Sequence, residues 1–310
     1  MTVHPADPLF DSRLRLERRA PGSLTLALRH EQAAADDPRP PLLLLHGFPQ
    51  THAMWHRVAP LLAPHFRLVM PDLRGYGDSD KPAGDADHGN YSKRTMAADV
   101  HALMRDLGFD RYFVCGHDRG GRVAHRLALD QPQAVRALML LDISPTLTMY
   151  ERTSREFAEA YYHWFFLIQP APLPERLIGA DPSFYLRAKM GGWGSGGTAL
   201  FDPRALAEYE RCFADPAAIH AMCEDYRAAA SIDLAHDRAD LDRRIVCPLR
   251  VLWGQRGVVH RLFSPVADWQ ARVAGPVTGM TTPGGHYIPE ESPDLLAAEM
   301  RTFFGSVGDV

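Results

Sequence analysis

A mainly parallel α/β sheet with helices on both faces is the fold this 310-residue chain predicts. Two observations carry the prediction. Short runs that are apolar throughout recur along the chain, and helix-length segments separate several of them. Continuous apolar runs fit strands covered on both faces, and strand–helix alternation fits parallel pairing. A third observation adds an insertion. From about residue 146 to about 235 the chain is aromatic-rich and helix-compatible, with no strand-like run, and the strand pattern then resumes.

The elements follow in order. "RLRLERR" (13–19) and "SLTLALRH" (23–30) alternate with period two around Pro21-Gly22, which predicts an antiparallel hairpin at a sheet edge. The continuous runs are "PLLLLHG" (41–47), "FRLVMPD" (66–72), "RYFVCGH" (111–117), "VRALMLLD" (135–142) and "PLRVLWG" (248–254), with "VTGM" as a last strand. Segments 92–107 and 119–131 have helix length. A core of residues 1–145 and 236–310 with a helical cap at 146–235 is the expected organisation. Within the cap, "GGWGSGG" (191–197) reads as a flexible loop; its spacing does not suit a phosphate cradle. Trp193 in that loop is a residue that could shield a site, but carries no assignment.

Composition narrows the function class. Apolar residues make up 46% and charged residues 23%, ordinary for a globular enzyme. A net charge of −4 gives no general attraction to nucleic acid or anionic membranes, so any anionic ligand must be recognised by local arginines. The N-terminus lacks the apolar stretch of a secretory signal, and no run is long enough to cross a bilayer. Cys115, Cys212, Cys223 and Cys247 lack CxxC spacing and are expected as reduced thiols of a cytoplasmic protein. No metal-ligand pattern is present, and neither a metal nor a cofactor is expected.

The chemistry centres on "GHDRGG" (116–121). A strand meets a helix across a turn with Gly116 before and Gly120 after Asp118, the spacing of a nucleophile elbow with Asp in place of Ser. A helix N-cap is the other use of an Asp at a helix start. A carboxylate is already ionised at neutral pH and suits displacement at a saturated carbon bearing a leaving group. The resulting enzyme ester must be hydrolysed, so a general base and an acid to orient it are expected downstream. His286, in "PGGHYIPEESP", is the best-placed base, ahead of a segment that starts with Glu290 and Glu291. The usual place for the acid, three residues after Gly254, holds Gly257. Asp142, at the end of "LMLLD", is therefore preferred, with a turn role beside Pro145 as the alternative. The loop "HGFPQ" (46–50) would supply the Phe48 N–H to an oxyanion hole, joined by the Arg119 N–H.

"HGFPQTHAMWHRVAP", "PDLRGYGDSDKP", "GHDRGGRVAHRLALD", "LDISPT" and "GGHYIPEESP" together resemble the α/β-hydrolase superfamily. The Asp nucleophile narrows this to the dehalogenase and epoxide hydrolase branch. Arg119, Asp142 and "YYHWFF" look most like the fluoroacetate (haloacetate) dehalogenases, over about residues 20–305. The resemblance implies a haloacetate substrate, glycolate as product and a homodimer. In a 2-haloacetate the carboxylate sits beside the reacting carbon. Arg119 and Arg122, one and four residues after the nucleophile at a helix N-terminus, offer an anion site. By resemblance alone, His163, Trp164 and Tyr226 would donate to the departing halide; a cap helix merely packing its aromatics is the other reading. An epoxide hydrolase would need two cap tyrosines, and Tyr161, Tyr162, Tyr185 and Tyr226 supply the number. A neutral haloalkane substrate is disfavoured by Arg119, and a serine esterase by the lack of Ser at the elbow. A non-catalytic binding protein of the same fold is the rival from another class.

Overall fold

The computed structural model describes residues 9–32 and 37–308; what the sequence implies for residues 1–8 lies outside them. Eight strands form one sheet: β1 (Leu14–Arg19), β2 (Leu26–Glu31), β3 (Pro41–Leu45), β4 (Arg67–Pro71), β5 (Tyr112–His117), β6 (Val135–Leu141), β7 (Leu249–Gly254) and β8 (Val277–Thr282). Their order is β1-β2-β4-β3-β5-β6-β7-β8. The expected hairpin is there, with Leu14 opposite Glu31 and Arg19 opposite Leu26. β2 runs antiparallel to β4, and the pairings from β4 through β3, β5, β6 and β7 to β8 are all parallel.

The continuous apolar runs have the burial they require. Every residue of β5 is buried, as are Leu42–Leu45 of β3 and Ala137–Leu141 of β6. Each such Leu or Val, fully withdrawn from water, contributes about 1.5–3 kcal/mol. Among the described residues three α-helices precede β6: α1 (Ala59–Leu62), α2 (Lys93–Asp106) and α3 (Asp118–Asp130). Ser92 caps α2 by accepting the Thr95 N–H, and Met96, Val100, Leu103 and Met104 form its buried stripe. α3 packs on β5, β6 and β3.

Between β6 and β7 the described elements are all helices: α4 (Thr146–Glu151), α5 (Arg155–Ala160), α6 (His163–Phe166), α7 (Leu173–Ala180), α8 (Pro182–Met190), α9 (Pro203–Phe213), α10 (Pro216–Ala230) and α11 (Ile232–Ala239). The expected boundary at 235 falls inside α11. Three of these helices start the same way. Asp181, Asp202 and Asp215 each accept a backbone N–H from the first turn, and each is followed by Pro at the first helical position. Proline has no N–H to lose there, and its fixed φ suits the turn. The last helices are α12 (Val258–Leu262), α13 (Pro265–Gln270), α14 (Ile288–Glu291) and α15 (Pro293–Gly305). Among the described residues, no helix is long and apolar enough to cross a membrane.

Candidate functional site

The loops that leave β3, β5, β6 and β8 at their carboxyl ends carry Phe48, Asp118, Asp142 and His286. In an open α/β sheet this is the edge where ligands bind. Asp118 opens α3 with φ of 44°, a left-handed backbone rarely taken by a residue with a Cβ. The turn closes so tightly that neighbours with side chains would collide. A Cβ at Gly116 would lie 2.5 Å from the Gly120 carbonyl oxygen, and one at Gly120 would lie 2.3 Å from that of His46. Phe48 N–H donates to Asp118 Oδ2 at 3.1 Å. Burial pushes the Asp118 carboxyl up, but the charges of His286, Arg122, His117 and Arg119 outweigh it and hold the group below its ordinary value.

Asp142, also at positive φ (53°), meets His286: imidazole Nδ1 lies 2.6 Å from Oδ2. The other oxygen, Oδ1, accepts the Gly254 N–H at 3.0 Å. The carboxylate from β6 thus sits in the turn after β7. A Cβ on Gly257 would come 3.3 Å from Asp142 Oδ1, so the two sequence positions considered for the acid face one another across a single contact. His117 Nε2–H donates to the His286 carbonyl at 2.8 Å, and burial pushes the His117 imidazole down to about 3. Burial also lowers His286, but the hydrogen bond to Asp142 and the charges of Asp142 and Asp118 outweigh it and raise the group overall.

Arg119 and Arg122 are both buried at the start of α3. Arg119 lies over the Tyr226 ring at 4.2 Å, and Arg122 over the Trp164 ring at 4.7 Å. Arg122 Nη1 donates to Thr146 Oγ1 at 2.8 Å. Arg119 Nη1 and Arg122 Nε are buried without a hydrogen-bond partner among the described residues, as are His163 Nδ1 and the Tyr226 hydroxyl. Buried polar groups are nearly always paired, so these four leave hydrogen-bonding capacity open to a ligand or to water in one cluster. His163 stacks on Phe48 (5.7 Å, 9°) and stands 5.5 Å from Tyr226. Burial pushes its imidazole well below the ordinary value, so it is neutral at neutral pH.

Residues 40–216 match the family described as alpha/beta hydrolase fold. The chain belongs to the α/β-hydrolase family. This α/β hydrolase is 51% identical over 264 residues to a fluoroacetate dehalogenase of a Burkholderia species, covering 85% of this chain and 86% of that one. It is 34% identical over 266 residues to a soluble epoxide hydrolase of Corynebacterium sp. (strain C12), covering 85% and 90%. The crystal structure of an α/β hydrolase from Nostoc sp. PCC 7120 superposes with a TM-score of 0.90 at 51% identity, over 94% of this chain and 98% of the other.

In this hydrolase Phe48, Asp118, Arg119, Arg122, Asp142, His163, Trp164, Tyr226 and His286 lie in one connected cluster, whereas Tyr162 is exposed and Tyr185 stacks on Phe213. Within the glycine-rich loop, Trp193 and Gly194 pack against the segment that carries His286. The Trp193 carbonyl accepts the His286 N–H at 3.1 Å, and its ring lies 4.8 Å from His163 and 5.2 Å from His286. Its indole N–H donates to the Ala160 carbonyl. Glu290 and Glu291 lie in the first turn of α14, the acidic helix start read from the sequence, and both are held by hydrogen bonds. Glu291 accepts the Gly285 and Tyr287 N–H groups. Glu290 is buried with Gln50 and Tyr209 on its Oε1, and burial raises it to about 8. Asp225, 0% exposed and ion-paired with Arg119, escaped sequence reading altogether. Its signal was a carboxylate among Ala218, Ala221, Ala228 and Ala229, on a helix face too small-sided to be a solvated one.

Proposed function

We propose that this α/β hydrolase is a hydrolytic dehalogenase that converts fluoroacetate and other 2-haloacetates to glycolate and halide. The observation that carries the reading is the set of unpartnered buried groups beside Asp118: Arg119 Nη1, Arg122 Nε, His163 Nδ1 and the Tyr226 hydroxyl. Two guanidiniums suit a substrate carboxylate. The imidazole, the indole of Trp164 and the phenol suit a small, hard halide, which needs hydrogen bonds rather than a soft pocket. The likeness to a fluoroacetate dehalogenase supports the same substrate class.

In this reading Arg119 and Arg122 hold the carboxylate, and Asp118 Oδ1 attacks the halogen-bearing carbon. A C–O bond forms as the C–halogen bond breaks, and the electron pair leaves on the halide toward His163, Trp164 and Tyr226. His286, oriented by Asp142, then takes a proton from water, and the hydroxide adds to the Asp118 carboxyl carbon. Negative charge gathers on Oδ2, the atom that already accepts the Phe48 N–H, with the Arg119 N–H as the second donor. Collapse expels the glycolate alkoxide, which takes the proton from His286, and the regenerated Asp118 carboxyl, which keeps water's other proton, releases it to solvent and is again a carboxylate. No metal or cofactor takes part in these steps. Residues 146–235 act as a cap over a core of 1–145 and 236–310. A homodimer in the cytoplasm completes the proposal, with apolar Leu173, Leu177 and Phe184 exposed on α7 and α8.

Incubation with fluoroacetate, chloroacetate, a 1-haloalkane and styrene oxide tests the assignment. Halide should come from the two acids and not from the haloalkane, and no diol should form. Turnover of the epoxide alone, or of nothing, rejects the reading in favour of an epoxide hydrolase or a binding protein. The contact between Gly257 and Asp142 gives a second expectation. Asp142→Asn should cut turnover by on the order of 10⁴-fold, as loss of a base-orienting acid does. Adding Gly257→Asp to Asp142→Ala, which vacates the space beside it, should recover at least about tenfold of the loss, because residue 257 stands against the position that the Asp142 carboxylate holds. Gly257 has φ of −77° and ψ of 167°, extended backbone open to Asp. Steady-state halide release by the single and double variants decides it.

A further inference from the structure

Two features remain outside this chemistry: the loop "DLRGYGDSD" (72–80) and the buried Asp225. They meet at Arg119. Asp225 Oδ2 accepts from Arg119 Nε at 2.8 Å and from the Tyr76 hydroxyl at 2.7 Å. Oδ1 accepts from Arg119 Nη2 at 2.8 Å and from Lys93 Nζ, and the Asp225 carbonyl accepts a further bond from Arg119 Nη2. One carboxylate on α10 therefore gathers donors from the loop after β4, the start of α2 and the start of α3. Asp233 on α11 closes the cluster, accepting the Lys93 backbone N–H at 2.8 Å, with its other oxygen 3.5 Å from Nζ.

The loop's glycine makes the meeting possible. Gly75 has φ of +84°, and a Cβ there would stand 2.7 Å from Ala221 Cβ on α10. A side chain there would collide with α10, the helix that carries Asp225, and with the Tyr91 ring, which would stand 2.8 Å away. The outcome for Arg119 is specific. Nε and Nη2 are committed to Asp225, the plane is held over Tyr226, and Nη1 alone has no partner.

We propose that Asp225 is a positioning residue for the substrate carboxylate: it draws the Arg119 guanidinium away from the adjacent nucleophile and fixes Nη1 as its one free edge. Tyr76 and Lys93 fix Asp225 in turn. This inference rests on the haloacetate reading and deepens it. Without Asp225, the carboxylate available to Arg119 is its chain neighbour Asp118, and pairing there would occupy the attacking oxygen. Removing a negative charge beside an anion site should by charge alone tighten binding of acids. Loss of positioning should weaken it. The two effects have opposite signs.

The test uses the full-length protein with Asp225→Asn, assayed for halide release from chloroacetate and for competitive inhibition by acetate. The expected result is a fall in kcat/KM on the order of 10²-fold, the scale of a misplaced binding group, with a raised KM and weaker acetate inhibition. An unchanged or lowered KM with unchanged kcat overturns the proposal. Because Asp225→Asn leaves Lys93 buried with only Asp233 as partner, Asp225→Asn with Lys93→Met is measured alongside, after circular dichroism confirms folding. This double variant removes one charge of each sign and should show the same rise in KM; a wild-type KM there also overturns the proposal. Wild-type protein is run first. If it releases no halide, the haloacetate reading fails and this inference falls with it; if it is active and the variants match it, only this inference fails.

Discussion

Asn in place of Asp118 should abolish halide release from fluoroacetate and chloroacetate, a loss on the order of 10⁵-fold or more, as expected when the group that forms the covalent bond is removed. The substitution is chosen to leave everything else in place. Asn has the size of Asp and is among the few residues that accept a left-handed backbone, so a φ of 44° is no obstacle. Its side-chain oxygen can still accept the Phe48 N–H. What disappears is the charge and the second oxygen, which the proposed displacement requires. Fluoride-electrode measurements on a variant shown to be folded by thermal unfolding check it. Release at the wild-type rate would mean that Asp118 is not the nucleophile.

His286→Asn should separate the two half-reactions. Alkylation of Asp118 needs no base, so halide should appear once per active site and then stop. Steady turnover should fall by about 10²–10⁴-fold, the contribution of a general base. The stalled protein should carry one carboxymethyl group, located on the peptide containing Asp118 by mass spectrometry; an unmodified peptide after the burst would sink the mechanism. Low pH should impose the same stall on the wild-type protein. His286 is raised from its ordinary value, chiefly by Asp142 and in part by the Asp118 charge, and it must be neutral to accept a proton from water. As pH falls through that raised value, ester hydrolysis is lost. Esterification removes the Asp118 charge, so the imidazole is less basic in the intermediate than in the free protein. The acid limb of kcat should therefore lie at lower pH than the titration of His286 followed by NMR without substrate.

The fold was legible because its signals are local. A run such as "PLLLL" or "YFVCGH", short and bounded by Gly, Pro or Asp, fits a strand of a sheet covered on both faces, and β3 and β5 are such strands. The groups proposed as reactive were nominated for a related reason: Asp118, Asp142 and His286 each follow a strand, and strand ends can be read. The empty position at Gly257 pointed to Asp142, and the two do face one another. What stayed hidden depends on contacts between segments distant in the chain. Asp225 meets Arg119 across 106 positions and Lys93 across 132. Trp193 touches His286 through a backbone carbonyl, which no residue identity encodes. Glu290 is buried with Gln50 and Tyr209, which come to it across 240 and 81 positions.

Asp118 and Arg119 are consecutive, and that has a consequence for selectivity. Their Cα atoms are separated by one peptide unit, about 3.8 Å, in a turn whose backbone is clamped by close contacts at Gly116 and Gly120. The far end of Arg119 is held by Asp225. On the proposed reading, the atom that attacks and the edge that grips are then the two jaws of a fixed gauge. It accepts a halogen on the carbon next to a carboxylate and misses one placed a bond further away. Repacking the inserted helices can change how bulky a group at that carbon is admitted. The gauge length itself is written in two neighbouring residues.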